Sequence, residues 1–220
     1  MKNKKQYVVF GLGRFGSSLV KALAETDAEV LAVDMDYDKV QEHSSYATQA
    51  FHANAIDETV LRQLGVSNFD HAFVSFGDNI ESSILTSLML KELGVPIVWS
   101  KSQSDYHTKV LEKIGVDRVI QPERDIARRI AKHVVSDKLI DFIELSKHYS
   151  MAEIIASEKL HDKTLTQLNF RSKFRCILIG IQRGEEVIIA PTADVRIQTG
   201  DILFIIGQNS DIERLEEEGV

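Results

Sequence analysis

Residues 7–21 read YVVFGLGRFGSSLVK. A short apolar run, Tyr7 to Phe10, leads directly into glycines at positions 11, 13 and 16, and an amphipathic stretch follows. Strand, glycine-rich turn and helix in that order are the opening of a dinucleotide-type βαβ unit. Gly11 permits the tight turn, Gly13 lets the backbone approach a phosphate, and Gly16 allows the helix to pack close to the strand. The helix N-terminus adds N–H donors and partial positive charge. The glycine pattern alone is weak; its context gives it weight. Asp34 stands at the end of the second strand candidate, 18 residues beyond Gly16, near the spacing of an acid that holds ribose hydroxyls. Its charge disfavours the 2′-phosphate of NADP. A vacant or degenerate site on the same fold stays open on these residues alone.

Outward from that unit, strand candidates fall at 7–11, 29–34, 50–52, 71–76, 97–100 and 118–121, each short and rich in Val, Ile, Phe or Trp. Helix candidates lie between and after them, at 14–24, 38–47, 57–64, 79–93, 104–114 and 122–135. Leu64-Gly65-Val66, Leu93-Gly94-Val95 and Ile114-Gly115-Val116 repeat one signal: glycine ends a helix in the left-handed conformation and the next Val packs back. Pro122 opens the last helix, where its missing N–H is harmless. Six β-then-α units predict an α/β, Rossmann-like domain: a parallel six-stranded sheet, strand order 3-2-1-4-5-6, with helices on both faces. After about residue 140, CILIGI, VIIA and DILFIIG are strands separated by QRGE and QTGD turns, with short helices expected near 165–170 and 210–218. This predicts a second, smaller α+β domain. The expected boundaries are 1–135, a packed connector at 136–150 containing LIDFIEL, and 151–220.

Composition narrows the function classes. The 220 residues are 44% hydrophobic and 27% charged, with 3 prolines and no apolar run near the length of a membrane span. The basic start MKNKKQY leads straight into a strand candidate, which does not fit a signal peptide. The single Cys176 excludes an internal disulfide and a cysteine metal cluster, so a reducing cytoplasm is expected. Net charge is −7, and residues 141–220 carry 9 Lys and Arg against 14 Asp and Glu. The basic face of a nucleic-acid binder is missing.

The downstream chemistry does not suggest hydride transfer. No tyrosine is followed four positions later by lysine, the seven histidines are scattered, and no G-x-x-x-x-G-K-[ST] loop is present. Arg14, inside the glycine loop, could reach a terminal phosphate with its planar fork. On spacing alone a solvent-facing arginine remains the alternative.

GLGRFGSSL, EVLAVDMDYDKV, SYATQAFHANAIDETVLRQLGV, FDHAFVSFGDNIESSILTSLMLKELGV, KVLEKIGVDRVIQPERDIARRIA and IQTGDILFIIG follow one another along nearly the whole chain. Together they closely resemble the cytosolic regulatory subunits of Ktr-type bacterial potassium transporters, built from an RCK (KTN) nucleotide-binding domain and a small C-terminal RCK domain. The resemblance implies a sensor rather than an enzyme. It implies dimers assembled into an octameric ring, docked at the inner face of the membrane on a potassium channel subunit and responding to ATP, ADP or NAD(H). By this resemblance Gly11, Gly13, Arg14, Phe15 and Gly16 hold phosphates, Asp34 takes the ribose, and Met35 and Asp36 line the adenosine. His52, Ala53, Asn54 and Ala55 match the adenine-side turn, with Asn54 in place of the usual Asp. Phe76 and Gly77 wall the site, Lys101 approaches the phosphates, and Glu123 meets the γ-phosphate region across a dimer, where it can hold Mg or another divalent cation. Its alternative is an ordinary first-turn acid favoured by the helix dipole. For cyclic di-AMP, which relatives bind across a two-fold interface, the matching positions are Asn169, Arg171, Ile177 and Pro191. Asn169 departs from the Asp often found there, and a plain hairpin core with a surface arginine is the alternative. Helix 122–135 and LIDFIEL are the expected dimer elements. An NAD(H)-dependent oxidoreductase is the competing function.

Overall fold

The computed structural model describes residues 4–26, 28–77, 79–135 and 139–217. The chain divides into two compact units, one ending at Glu123 and the other beginning at Arg124.

The first unit alternates strand and helix: β1 (Gln6–Phe10), α1 (Arg14–Ala24), β2 (Glu29–Asp34), α2 (Tyr37–His43), β3 (Gln49–His52), α3 (Glu58–Gln63), β4 (His71–Val74), α4 (Ile80–Glu92), β5 (Ile97–Lys101), α5 (Asp105–Lys113) and β6 (Arg118–Ile120). The sheet order is β3-β2-β1-β4-β5-β6, and every pairing is parallel. This is the Rossmann-like order expected from the sequence. Helix starts follow local capping chemistry. Asp36, Asp57, Asn79 and Ser104 each accept hydrogen bonds from backbone N–H groups of the first turn they precede. Gly65, Gly94 and Gly115 take positive φ of 66°, 83° and 86°, and Val66, Val95 and Val116 behind them are buried. The central strands β1 and β2 are largely apolar on both faces. Val8, Phe10, Leu31, Val33 and Val98 pack with Leu61, Leu90 and Leu111 on one side, and Val9, Val30 and Ala32 pack with Val20 and Val40 on the other.

A last helix, α6 (Pro122–Val135), begins in the first unit and continues in the second. The second unit contains β7 (Leu139–Glu144), β8 (Tyr149–Ile155), α7 (Leu165–Leu168), α8 (Phe170–Phe174), β9 (Ile177–Arg183), β10 (Glu186–Ile189), β11 (Ile202–Gln208) and α9 (Asn209–Glu217). Its antiparallel sheet has the order β10-β9-β11-β8-β7. Ile154, Ile181, Ile197, Leu203, Ile205, Phe174 and Leu215 form its core. Cys176 lies in that core, and burial pushes its thiol up to about 11, so it stays a protonated packing group.

Two strands depart from the expectation. Residues 139–144, read as connector, are the edge strand β7, and residues 149–155 are β8; residues 136–138 lie outside the described residues. The inward positions of β8 are Ser150, Ala152 and Ile154, two of them small, so the strand lacks the bulky alternation by which strands are read. The single helix expected near 165–170 is two short helices, because Asn169 takes the left-handed conformation between them at φ 45°. No described helix is long and apolar enough to cross a membrane.

Candidate functional site

In an open parallel sheet a crevice forms where neighbouring strands send their connections to opposite faces. Here that place is between β1 and β4, and a cavity of about 370 Å³ opens there at the C-terminal ends of the strands. Gly11 and Gly13 supply its loop wall; Asp34 and Met35 come from the end of β2; Ala53, Asn54 and Ala55 from the turn after β3; Phe76 and Gly77 from the turn after β4. Four chain segments far apart in sequence thus meet on one hollow.

The loop is built by close approach. Gly11 has φ +90°, and a Cβ on it would lie 2.8 Å from the Ser75 carbonyl oxygen; one on Gly16 would lie 1.9 Å from the Gly11 oxygen. Gly13 differs: a Cβ there would meet nothing within 4 Å, so the space beside it is open. The Asp34 carboxylate accepts from the Leu12 N–H at 2.6 Å and the Asp36 N–H at 2.8 Å. Two acceptor positions on the carboxylate are then taken, and the others are free to receive ribose hydroxyls. Met35 is 65% exposed, an apolar surface suited to stacking under a base. Asn54 turns its Oδ1 onto the Ile56 N–H at 3.2 Å, so the amide oxygen expected to face an adenine amino group is partly engaged in holding its own turn.

The remaining expected residues stand elsewhere. Gly16 is buried in the loop–helix contact and Phe15 is half-buried. Asp36 is not on the cavity wall; its carboxylate caps α2 by accepting from Asp38 and Lys39 N–H groups. Arg14 is exposed at the first turn of α1, next to Gly13. Lys101 and Glu123 form an ion pair at 2.5 Å, with Lys101 only 14% exposed and Glu123 72%. That hydrogen bond holds the Glu123 carboxyl below the usual carboxylate range, with a smaller contribution from the positive charge of Arg14. Arg14, Lys101 and Glu123 therefore share one electrostatic neighbourhood. Among the described residues no group of three or more His, Cys, Asp or Glu side chains gathers to hold a metal, so Glu123 offers a single carboxylate, already held by Lys101.

Sequence reasoning missed Lys39, Ile56, Ser75, Asn79 and Ser82, which also line the cavity. Asn79 was within reach: it precedes an apolar helix and accepts from the Ser82 N–H at 2.9 Å as the N-cap of α4. Two helix N-termini, of α1 and α4, thus face one cavity, an arrangement suited to anionic ligands. Lys39 carries no such local signal.

Of the C-terminal candidates, Asn169 and Arg171 are exposed beside α8, Ile177 at the start of β9 is 52% exposed, and Pro191 is half-buried. The left-handed backbone at Asn169 supplies a structural reason for Asn there.

Comparison with known proteins decides the family. The TrkA-N domain family matches residues 7–122 and the TrkA-C domain family residues 150–218. The chain is 49% identical to Ktr system potassium uptake protein C of Bacillus subtilis, over 97% of both chains. It is 44% identical to Ktr system potassium uptake protein A of the same organism, over 100% of this chain and 99% of that one. The chain belongs to the Ktr potassium uptake protein family. Ktr system potassium uptake protein A of Vibrio alginolyticus is a further relative, 34% identical over 92% of each chain. The Ktr-type fold extends to solved structures at low identity. The GsuK channel superposes with a TM-score of 0.70 at 16% identity, covering 98% of this chain and 39% of that one, so the chain spans well under half of that protein. The GsuK channel bound to NAD gives 0.69 with the same identity and coverage, and GsuK bound to ADP gives 0.51 at 16%, over 58% of this chain and 34% of that one.

Proposed function

We propose that this Ktr-family chain is a cytoplasmic regulatory subunit, not an enzyme, which binds an adenine nucleotide and gates a membrane potassium transporter. The observation that carries this reading is the cavity between β1 and β4, where Asp34, the open Gly13 and two helix N-termini assemble beside the Arg14, Lys101 and Glu123 cluster. Its 370 Å³ fits a nucleoside with part of its phosphate tail. ATP, ADP and NAD(H) all present the shared adenosine; NAD and ADP are the ligands of the two GsuK complexes. They differ beyond the β-phosphate, the part of the ligand that Arg14 and Lys101 would meet in this reading.

A ligand shifts a conformational equilibrium only by its differential affinity for the two states. A terminal phosphate meeting Arg14 and Lys101 supplies that difference, and a divalent cation between it and a neighbouring copy's acid would give Glu123 its role. Assembly of copies is supported by uncovered apolar surface. Tyr7, His71, Phe73 and Trp99 stack along one face of the first sheet and stay partly exposed, and Ile126, Ile130 and Val134 form an exposed stripe on α6. A dimer-based ring, octameric by family resemblance, is the assembly we propose. Cyclic di-AMP is the second ligand in this reading, at Arg171 and Ile177 near a two-fold contact.

The test is a panel of nucleotide affinities combined with the mass of the assembly and a turnover assay. Arg14→Ala is expected to weaken ATP more than NADH; equal losses would remove the phosphate-tail argument. Arg171→Ala should abolish cyclic di-AMP binding and leave ATP affinity intact. Turnover of any substrate with NADH at ordinary enzymatic rates would overturn the regulatory reading.

A further inference from the structure

We propose that the second unit carries an anion site in the hollow rimmed by His161, Lys163, Lys173 and Arg196, and that its ligand is a small phosphorylated anion with at least two negative charges. The hollow has a volume of about 560 Å³. None of Asn169, Arg171, Ile177 and Pro191 lines it, so it is separate from the cyclic di-AMP positions. Residues 141–220 are acidic as a whole, 14 acids against 9 Lys and Arg, yet three cations and a histidine surround this hollow with Asp162 as the single acid. Like charges gathered in one place repel, and a bound anion relieves that repulsion.

The frame that holds them is rigid. The Asp162 N–H donates to the Ile197 carbonyl at 2.8 Å, the Ile197 N–H to the Lys163 carbonyl at 3.1 Å, and Leu165 N–H to the Val195 carbonyl at 3.2 Å. This ladder sets Thr164 opposite Arg196, with Lys163 its immediate neighbour in the chain. Lys173 is anchored through its carbonyl, which accepts from the Arg214 guanidinium at 3.0 Å. Asp162 sits at φ 56°, in the left-handed region that Asp enters more readily than most residues. From there its carbonyl and carboxylate both engage Nη1 of Arg196, at 2.5 and 3.2 Å. Nη2 and Nε of Arg196 make no hydrogen bond among the described residues, so two donors of the fork stay available for a phosphate oxygen.

The phosphate group could belong to a free metabolite or to an anionic phospholipid head group, and the test separates the two. Inorganic pyrophosphate is titrated into the full chain and into Lys163→Gln/Lys173→Gln by calorimetry. The double variant is expected to lose one binding equivalent per chain, or to weaken it about tenfold or more, with ATP affinity and thermal midpoint unchanged. Lys163→Gln alone should give a partial loss, and higher ionic strength should weaken the wild-type site. Phosphatidylglycerol vesicles are then added: competition with pyrophosphate assigns a lipid head group, and its absence a free phosphate. Superimposable isotherms for wild type and double variant would overturn the proposal.

Discussion

Gly13 and Gly16 sit three residues apart in one loop but answer to different constraints. A Cβ at Gly16 would stand 1.9 Å from a backbone oxygen, so Gly16→Ala must displace the loop or the helix; a loss of about 4 kcal/mol or more in unfolding free energy is expected in a denaturant titration. A Cβ at Gly13 meets nothing, and its φ of −70° suits any residue. Gly13→Ala should therefore keep the wild-type melting temperature while nucleotide affinity falls about tenfold or more, because the methyl group occupies the space a phosphate needs. If affinity were unchanged, the cavity would not be the nucleotide site. Glu123 yields a pH argument at the same scale. Its folded-state carboxyl is held below the ordinary value by Lys101. The pair's contribution is thus complete above the ordinary carboxylate range near 4.5 and fades as pH falls through the lowered folded value. Because Glu123 is largely exposed, the contribution is small and salt-sensitive. Comparing acid unfolding of Glu123→Gln with wild type at low and high salt checks it.

Helix α4 carries the cavity's least obvious support. Its buried positions are Ser83, Thr86, Ser87 and Leu90, three hydroxyls to one apolar side chain, and a hydrophobic periodicity would turn that face to solvent. In the fold Ser83 and Ser87 hydrogen-bond to Ser100 of β5 at 3.3 and 3.2 Å, and Thr86 Oγ1 donates to the Ala55 carbonyl at 3.1 Å. Small polar residues let helix and sheet approach closely, and the Thr86 bond fixes the turn that walls the cavity. Thr86→Val keeps the shape but leaves the Ala55 carbonyl unsatisfied, at a cost of about 1–3 kcal/mol. It should raise amide exchange in residues 53–56 more than elsewhere. The caps, by contrast, were legible: Asn79 and Ser104 precede their helices in the sequence as they do in space. β8 was not legible, because its inward side chains are small and its identity as a strand comes from pairing with β11 and β7.

At the scale of the molecule, the two units expose apolar surface that a lone chain leaves wet. Replacing Ile126, Ile130 and Val134 together by Ser should lower the mass of the assembly in solution without changing the far-ultraviolet circular dichroism of the chain. An unchanged mass would remove α6 from the interface. Global stability should also fall in mild acid. Burial lowers His107, and burial followed by the charge of Lys5 lowers His71, so both resist protonation when folded. The unfolded chain binds those protons below about 6.5, and stability declines from there as pH falls through the lowered folded values. Thermal midpoints from pH 8 to 5 read the effect, which His107→Gln should reduce.

The sequence by itself determined the alternation of strand and helix, the parallel order, the glycine loop, the acid at the end of the second strand and the family, since each rests on local chemistry or on a motif contiguous in the chain. Only the tertiary structure decided that Lys39, Ser75 and Ser82 line the cavity, that Lys101 pairs with Glu123, and that a basic hollow forms in an acidic domain. Those facts depend on which distant segments the sheet order brings within a few ångströms, and no periodicity along the chain records that distance.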